Sequence, residues 1–214
     1  MNVLVTSSRV PHTLRGIRHE GMTRRLALAC VVVLTFVVSI HGGEAPRADA
    51  QSTPTAWVDA ALAERLSGDW RLAVTPEVAA RAVGRGIETA VASLPPLIDA
   101  MAARELRTRT PVSSTLWIDV TSARIRTRFA DHAYDTAPGR SVRMAVPDED
   151  ASSMGVVQLL RSGGLEQIFT TERGRRWNTF TATDDGQRLT LAVVIQSASL
   201  PTDVRFVLPY TRAR

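Results

Sequence analysis

The chain has 214 residues, is 44% hydrophobic and carries a net charge of +5, and all 26 of its basic residues are arginine. A single cysteine, Cys30, excludes a disulfide framework. From residue 51 onward 20 arginines stand against 18 acids, a net of +2 that is too small to steer a polyanion, so nucleic acid is not an expected partner.

Residues 26–40 (LALACVVVLTFVVSI) follow Arg24 and Arg25 and carry no charge, the composition of a signal-peptide core. At 1.5 Å per residue such a helix reaches only about 22 Å, short of the roughly 30 Å hydrocarbon layer. A cleaved signal is therefore expected rather than a stable membrane span, with the small-x-small site Ala48-Asp49-Ala50 closing it. Residues 1–50 then form an N-terminal extension and signal, with translation starting at Met1 or Met22. Residues 51–214 form one exported domain, periplasmic or extracellular. Cys30 leaves with the signal, so the exported part must be held by its core.

Residues 51–110 read as mostly helical. Pro54 can start a helix to about Leu66 with Val58, Ala61, Leu62 and Leu66 on one face, stopped by Gly68. A short extended piece, Trp70 to Val74, precedes a second start signal with Thr75 as cap and Pro76 at the first helical position. That helix aligns Val78, Ala82, Val83, Ile87, Val91 and Leu94, and Pro95-Pro96 ends it. Pro96 opens a third helix with Leu97, Ile98, Met101 and Leu106, making 76–107 a helical hairpin whose apolar side needs cover.

From Pro111 the apolar period becomes two. Leu116, Ile118 and Val120 alternate with polar neighbours, as do Ile125, Thr127 and Phe129, and then Val142, Met144 and Val146. Further strands are expected at 155–161, 165–171, 176–182, 188–195 and 204–210, separated by short turns. Links this short force antiparallel pairing, so 111–214 is a meander. The expected fold is α+β, mainly β: N-terminal helices and a helical hairpin packed on a curved sheet or small barrel that hides its edges.

Gly68-x-Trp70, in Leu66-Ser67-Gly68-Asp69-Trp70, stands at the first strand ahead of this meander and resembles the entry motif of the calycin superfamily, the lipocalins and fatty-acid-binding proteins. A short strand, a helical pair and a run of hairpins are similar to the fatty-acid-binding branch, as are Leu165-Glu166-Gln167 and Tyr210-Thr211-Arg212. The resemblance implies a lipocalin-like barrel for a small apolar or amphipathic molecule. The Arg-x-Tyr pair which that branch uses on a lipid carboxylate is replaced here by Tyr210-x-Arg212. Trp70 would plug one barrel end, with an arginine, Arg212 or Arg205, stacked on its face and bonded to nearby carbonyls. A core aromatic after a helix end is the simpler alternative for Trp70.

Chemistry-bearing patterns are sparse. His132, flanked by Asp131 and Asp135, lies in a loop of small residues with no nucleophile elbow. Asp148-Glu149-Asp150 lacks the spacing of a calcium loop and reads as a hairpin tip. No spacing calls for a metal or a cofactor. Arg124, Arg126 and Arg128 share one strand face: inside a barrel they make an anion site, outside a solvated row, and burial of Ile125 and Phe129 favours outside. Arg173, Arg175 and Arg176 beside Trp177 form a polar turn or a contact for acidic lipid heads or a protein.

Three function classes follow. The first is an exported small-molecule binding module and the second a structural or protein-interaction domain of the envelope with a solid core. The third is an enzyme using His132 and carboxylates, for which no spacing argues.

Overall fold

The computed structural model describes residues 59–129, 132–145 and 153–213. The apolar run 26–40, the cleavage site at Ala48-Asp49-Ala50, Pro54, Val58, Asp131, Val146 and Asp148-Glu149-Asp150 lie outside these residues.

Helix α1 (Ala60–Leu66) is capped by the Asp59 side chain, which accepts from the Ala61 and Leu62 amides. The cap therefore belongs to Asp59. Leu62 and Leu66 are buried as expected, but Ala61 is exposed and Ala63 takes its place, so the buried stripe is shifted only at its edge. The helix ends at Ser67, whose hydroxyl donates to the Ala63 carbonyl and accepts from the Val120 amide. Gly68 begins the next element.

Strand β1 (Gly68–Leu72) leads to α2 (Pro76–Val91) and α3 (Pro96–Arg109), the expected hairpin. Proline opens both helices at a position that needs no amide donor. The Thr75 side chain does not cap α2; it bonds the Glu77 carboxylate and, as the largest influence, holds that acid below its usual range. Ala79, Val83, Ile87, Ala90 and Val91 are buried, and α2 packs on the last strand. Small residues permit this: a methyl on Gly86 would overlap the Arg205 carbonyl.

Nine further strands follow: β2 (Thr115–Val120), β3 (Ile125–Phe129), β4 (His132–Thr136), β5 (Ser141–Ala145), β6 (Ser153–Arg161), β7 (Gly164–Thr171), β8 (Gly174–Ala182), β9 (Arg188–Ser197) and β10 (Val204–Arg212). All pairs are antiparallel in one ten-stranded sheet ordered β4-β3-β2-β1-β10-β9-β8-β7-β6-β5. The sheet curls until its two ends approach, with Tyr134 on β4 meeting Phe169 on β7 at 5.0 Å between ring centroids. The result is a mainly β, nearly closed lipocalin-like barrel. Strand β4 departs from the loop expected around His132: the ladder to β3, Phe129 opposite His132 through Ile125 opposite Thr136, overrides weak strand composition.

The main core joins Trp70, Leu116, Ile118, Ile125, Leu165, Phe180 and the inner residues of β9 and β10 to α1 and α2. A smaller cluster, Met154, Val156 and Phe169 with Tyr134 and Met144 against it, lines the wall near β5. The outer helix departs from expectation. Of α3 only Ala103 is buried, while Leu97, Ile98 and Met101 are 75%, 53% and 66% exposed, and Val78 on α2 is 41% exposed. Their helical spacing is regular, but the hairpin turns a different side to the sheet.

Glycine at positions 84 and 86 separates propensity from packing. Gly84→Ala meets nothing nearer than Glu88 Oε1 at 4.0 Å and should stabilise the protein by up to about 1 kcal/mol. Gly86→Ala should destabilise it by about 1–3 kcal/mol by lifting α2 off β10. Denaturant unfolding of both variants checks this, and equal shifts would contradict the packing described.

Candidate functional site

One barrel end is closed by α1, which packs across β2, β7 and β8. Trp70 is fully buried there and donates from its indole to the Leu66 carbonyl at 3.0 Å. The Arg212 guanidinium carbon lies 4.5 Å from the Trp70 ring centroid. Its three nitrogens donate to Gly186 O (2.6 Å), Ser67 O (2.7 Å) and Arg65 O (2.8 Å). Gly68 has φ +137°, and a methyl there would overlap Arg212 Nη1. Arg205 is elsewhere: its exposed side chain pairs with Asp203 at 2.6 Å on the outer face of β10.

A hollow of about 470 Å³ adjoins this end, lined by Glu64, Arg65, Asp184, Asp185, Gln187 and Arg212 among others. A second, of about 450 Å³, lies at the β7–β8 turn and the end of β9. The first lies between α1 and the β8–β9 turn and the second at strand ends, so neither is lined by the inner rows of the barrel.

The barrel interior is layered. On β6, β7, β8 and β9, Leu160, Leu165, Phe180 and Leu191 stand in one row, Gln158, Gln167, Asn178 and Val193 in the next, and Val156, Phe169, Arg176 and Ile195 in the third. The first row belongs to the main core. The second holds three buried amides that bond one another. Asn178 Nδ2 donates to Gln167 Oε1 (3.0 Å), Gln167 Nε2 to Gln158 Oε1 (3.2 Å) and Thr127 Oγ1 (2.7 Å), and Gln158 Nε2 to the Ile125 carbonyl (2.8 Å). Burial without such partners would cost roughly 1–3 kcal/mol per group.

Arg176 extends this ladder, its Nε donating to Asn178 Oδ1 at 2.9 Å. It shares the inner face of β8 with Asn178 and Phe180, hemmed in by neighbours yet keeping partial contact with solvent. Burial pulls its guanidinium below the usual arginine value, opposed by Tyr134 and Tyr210. No carboxylate among the described residues pairs with it. A half-enclosed cation without a counter-charge among the described residues carries a desolvation cost that an anion would offset. Burial also raises Tyr134, against the pull of Arg176. Tyr210 donates to the Ser113 carbonyl at 3.0 Å, and burial pushes its phenol up to about 12.

The other candidates are dispersed. Arg124, Arg126 and Arg128 lie on the outer face, where Arg124 pairs with Asp135 at 2.7 Å and Arg126 with Asp119 at 2.6 Å. Arg128 stacks over Trp117 at 5.5 Å. This row is not an inner anion site, because Ile125 and Thr127 take the enclosed face of β3. His132 is exposed on β4, and Asp135 faces Arg124. The sequence groups Arg176 with Arg173 and Arg175 at a polar turn, but the structure sets it within β8 on the inner face, apart from the exposed Arg175. Alternation puts Arg176, Asn178 and Phe180 on one face without saying which face is enclosed, and nothing in the residue order signals the amide ladder.

The architecture is a nearly closed, ten-stranded antiparallel barrel with a helical hairpin inserted after its first strand. Among solved structures, a point mutant of the fluorescent protein UnaG matches 71% of this chain and 98% of its own, at 16% identity and a TM-score of 0.44. Fatty-acid-binding protein 1 of Echinococcus granulosus matches 71% and 99%, at 11% identity and 0.43. Lipid binding protein 8 of Caenorhabditis elegans matches 70% and 96%, at 14% identity and 0.42. The chain matches no protein-family model and no curated protein.

Arg212→Met should cost roughly 3 kcal/mol or more by stripping three carbonyls of their charged donor. Gly68→Ala should cost about 1–3 kcal/mol from backbone strain alone. Chemical denaturation reads both, and wild-type stability in Arg212→Met would refute the clamp. Tyr210 adds a pH dependence. Its folded pKa lies above the ordinary 10.0, so its contribution is complete below about pH 10 and falls away as pH rises towards 12. Unfolding curves of Tyr210→Phe should lack that share of the alkaline loss; an unchanged pH profile would contradict the burial of the phenol.

Proposed function

We propose that residues 51–214 form an exported binding module that holds a small amphipathic molecule in its barrel, with an anionic head on Arg176. The observation that carries this reading is the inward Arg176, anchored through Nε to a bonded amide ladder and, among the described residues, without a carboxylate partner. The ladder fixes the guanidinium plane, and its remaining nitrogens suit a two-pronged carboxylate contact. The apolar neighbours of Arg176 on β7 and β9, Phe169 and Ile195, suit the rest of such a molecule.

A second reading is an interaction domain with a solid core. The exposed row Leu97, Ile98 and Met101 on α3 favours it. A fixed protein partner would then co-purify and be lost on Leu97→Ser with Met101→Ser.

Native mass spectrometry of the protein from its own source tests the first reading. The expected result is a chain beginning near Gln51 with a retained anionic amphiphile. Arg176→Gln should weaken that ligand by roughly 10-fold to 100-fold, the worth of a charged hydrogen bond, and leave the neutral analogue unaffected. A bare chain that binds no amphiphile on titration would overturn the reading.

A further inference from the structure

The ten-strand ring has one seam. Strands β4 and β5 are neighbours in sequence, joined by 137–140, yet they occupy the two ends of the sheet order and no ladder links them. The wall beside this seam is lined differently from the main core. On β5, Val142 stands opposite Val156 and Met144 opposite Met154, so both share the inner face with the smaller cluster of Met154, Val156 and Phe169. Val156 is fully buried, but its partner Val142 is 37% exposed. The inner wall is therefore open to solvent at the seam itself. Thioethers and aromatic rings make that lining adaptable to different apolar shapes.

Arg176 adjoins this lining. Phe169 is its register partner across β7–β8, and Tyr134, which packs on Phe169 from β4, is close enough for its phenol to feel the arginine's charge. In the other direction the path is shut. The row of Gln158, Gln167 and Asn178 is buried and mutually bonded, and beyond it Leu165, Phe180 and Leu191 belong to the packed main core. An apolar tail whose head sits on Arg176 cannot run inward past the amides without breaking bonds that nothing would replace.

From this arrangement we infer that the β4–β5 seam is the tail subsite and entry route of the barrel, taking a single-chain carboxylate whose tail lies along Val142, Met144, Met154, Phe169 and Tyr134. The inference rests on the reading of Arg176 as the head site, and it places the tail at the side of the barrel, away from the main core. Ligand length is then limited by the seam and not by the depth of the barrel.

Displacement of anilinonaphthalene sulfonate by straight-chain carboxylates from butanoate to hexadecanoate tests it on the wild type, Arg176→Gln, Val142→Asn and Met144→Gln. Val142 is already partly exposed, so its replacement leaves folding intact. Arg176→Gln should weaken every length by a similar factor. Val142→Asn and Met144→Gln should weaken binding progressively with length, under twofold for butanoate and roughly tenfold for dodecanoate. If both seam variants match the wild type while long carboxylates still bind, the tail lies elsewhere and the seam is refuted, with the binding function standing. If the wild type binds no carboxylate of any length, the head site and the seam fall together.

Discussion

Arg212 makes the contact on which the closure of this barrel depends. The first strand is short and pairs with the last over only three registered residues, Trp70 to Leu72 against Arg212 to Tyr210. So short a ladder is a weak joint between the chain's beginning and its end. Arg212 reinforces it with one planar cation that bonds the carbonyls of Arg65 and Ser67 at the end of α1 and of Gly186 between β8 and β9, while its face covers Trp70. Helix ends leave carbonyls in need of donors, and a guanidinium supplies several in a fixed fork. Gly68 completes the arrangement by what it lacks, since any side chain there would occupy the volume of the arginine.

With that end sealed, the rest of the interior is organised by rows across β6 to β9. A packed apolar row, a bonded amide row and a mixed row containing Arg176 succeed one another away from the sealed end. The amides serve two purposes at once. They satisfy one another, so the polar layer is tolerated inside an apolar wall, and they hold Arg176 by its Nε in one orientation. Among the described residues no carboxylate balances the arginine's charge, so the inner wall carries a desolvation cost at this one position.

Much of the backbone was legible from residue order. Alternation located β2, β3 and β5 through β10, proline placed the starts of α2 and α3, and short links implied antiparallel neighbours. Strand β4 was not legible, because His132, Ala133 and Asp135 lack strand preference and only the ladder to β3 makes them extended. Nor was the outward turn of Leu97, Ile98 and Met101. Helical spacing says which residues share a face, but the packing of α2 on β10 decides which face of the hairpin is covered.

The candidate site shows the same division. By itself the sequence determined the order of elements and the meander, since these follow from local period and turn chemistry, while the pairing of the Gly-x-Trp entry with an arginine near the chain end was implied by its resemblance to the calycins. It could not say whether Arg212 or Arg205 would reach Trp70, or that Arg176 would lie inside while Arg124, Arg126 and Arg128 lie outside. A period of two defines two faces without naming the enclosed one. Only the curling of the sheet and the register of strands far apart in sequence assign it, because burial belongs to neighbours that no local pattern contains.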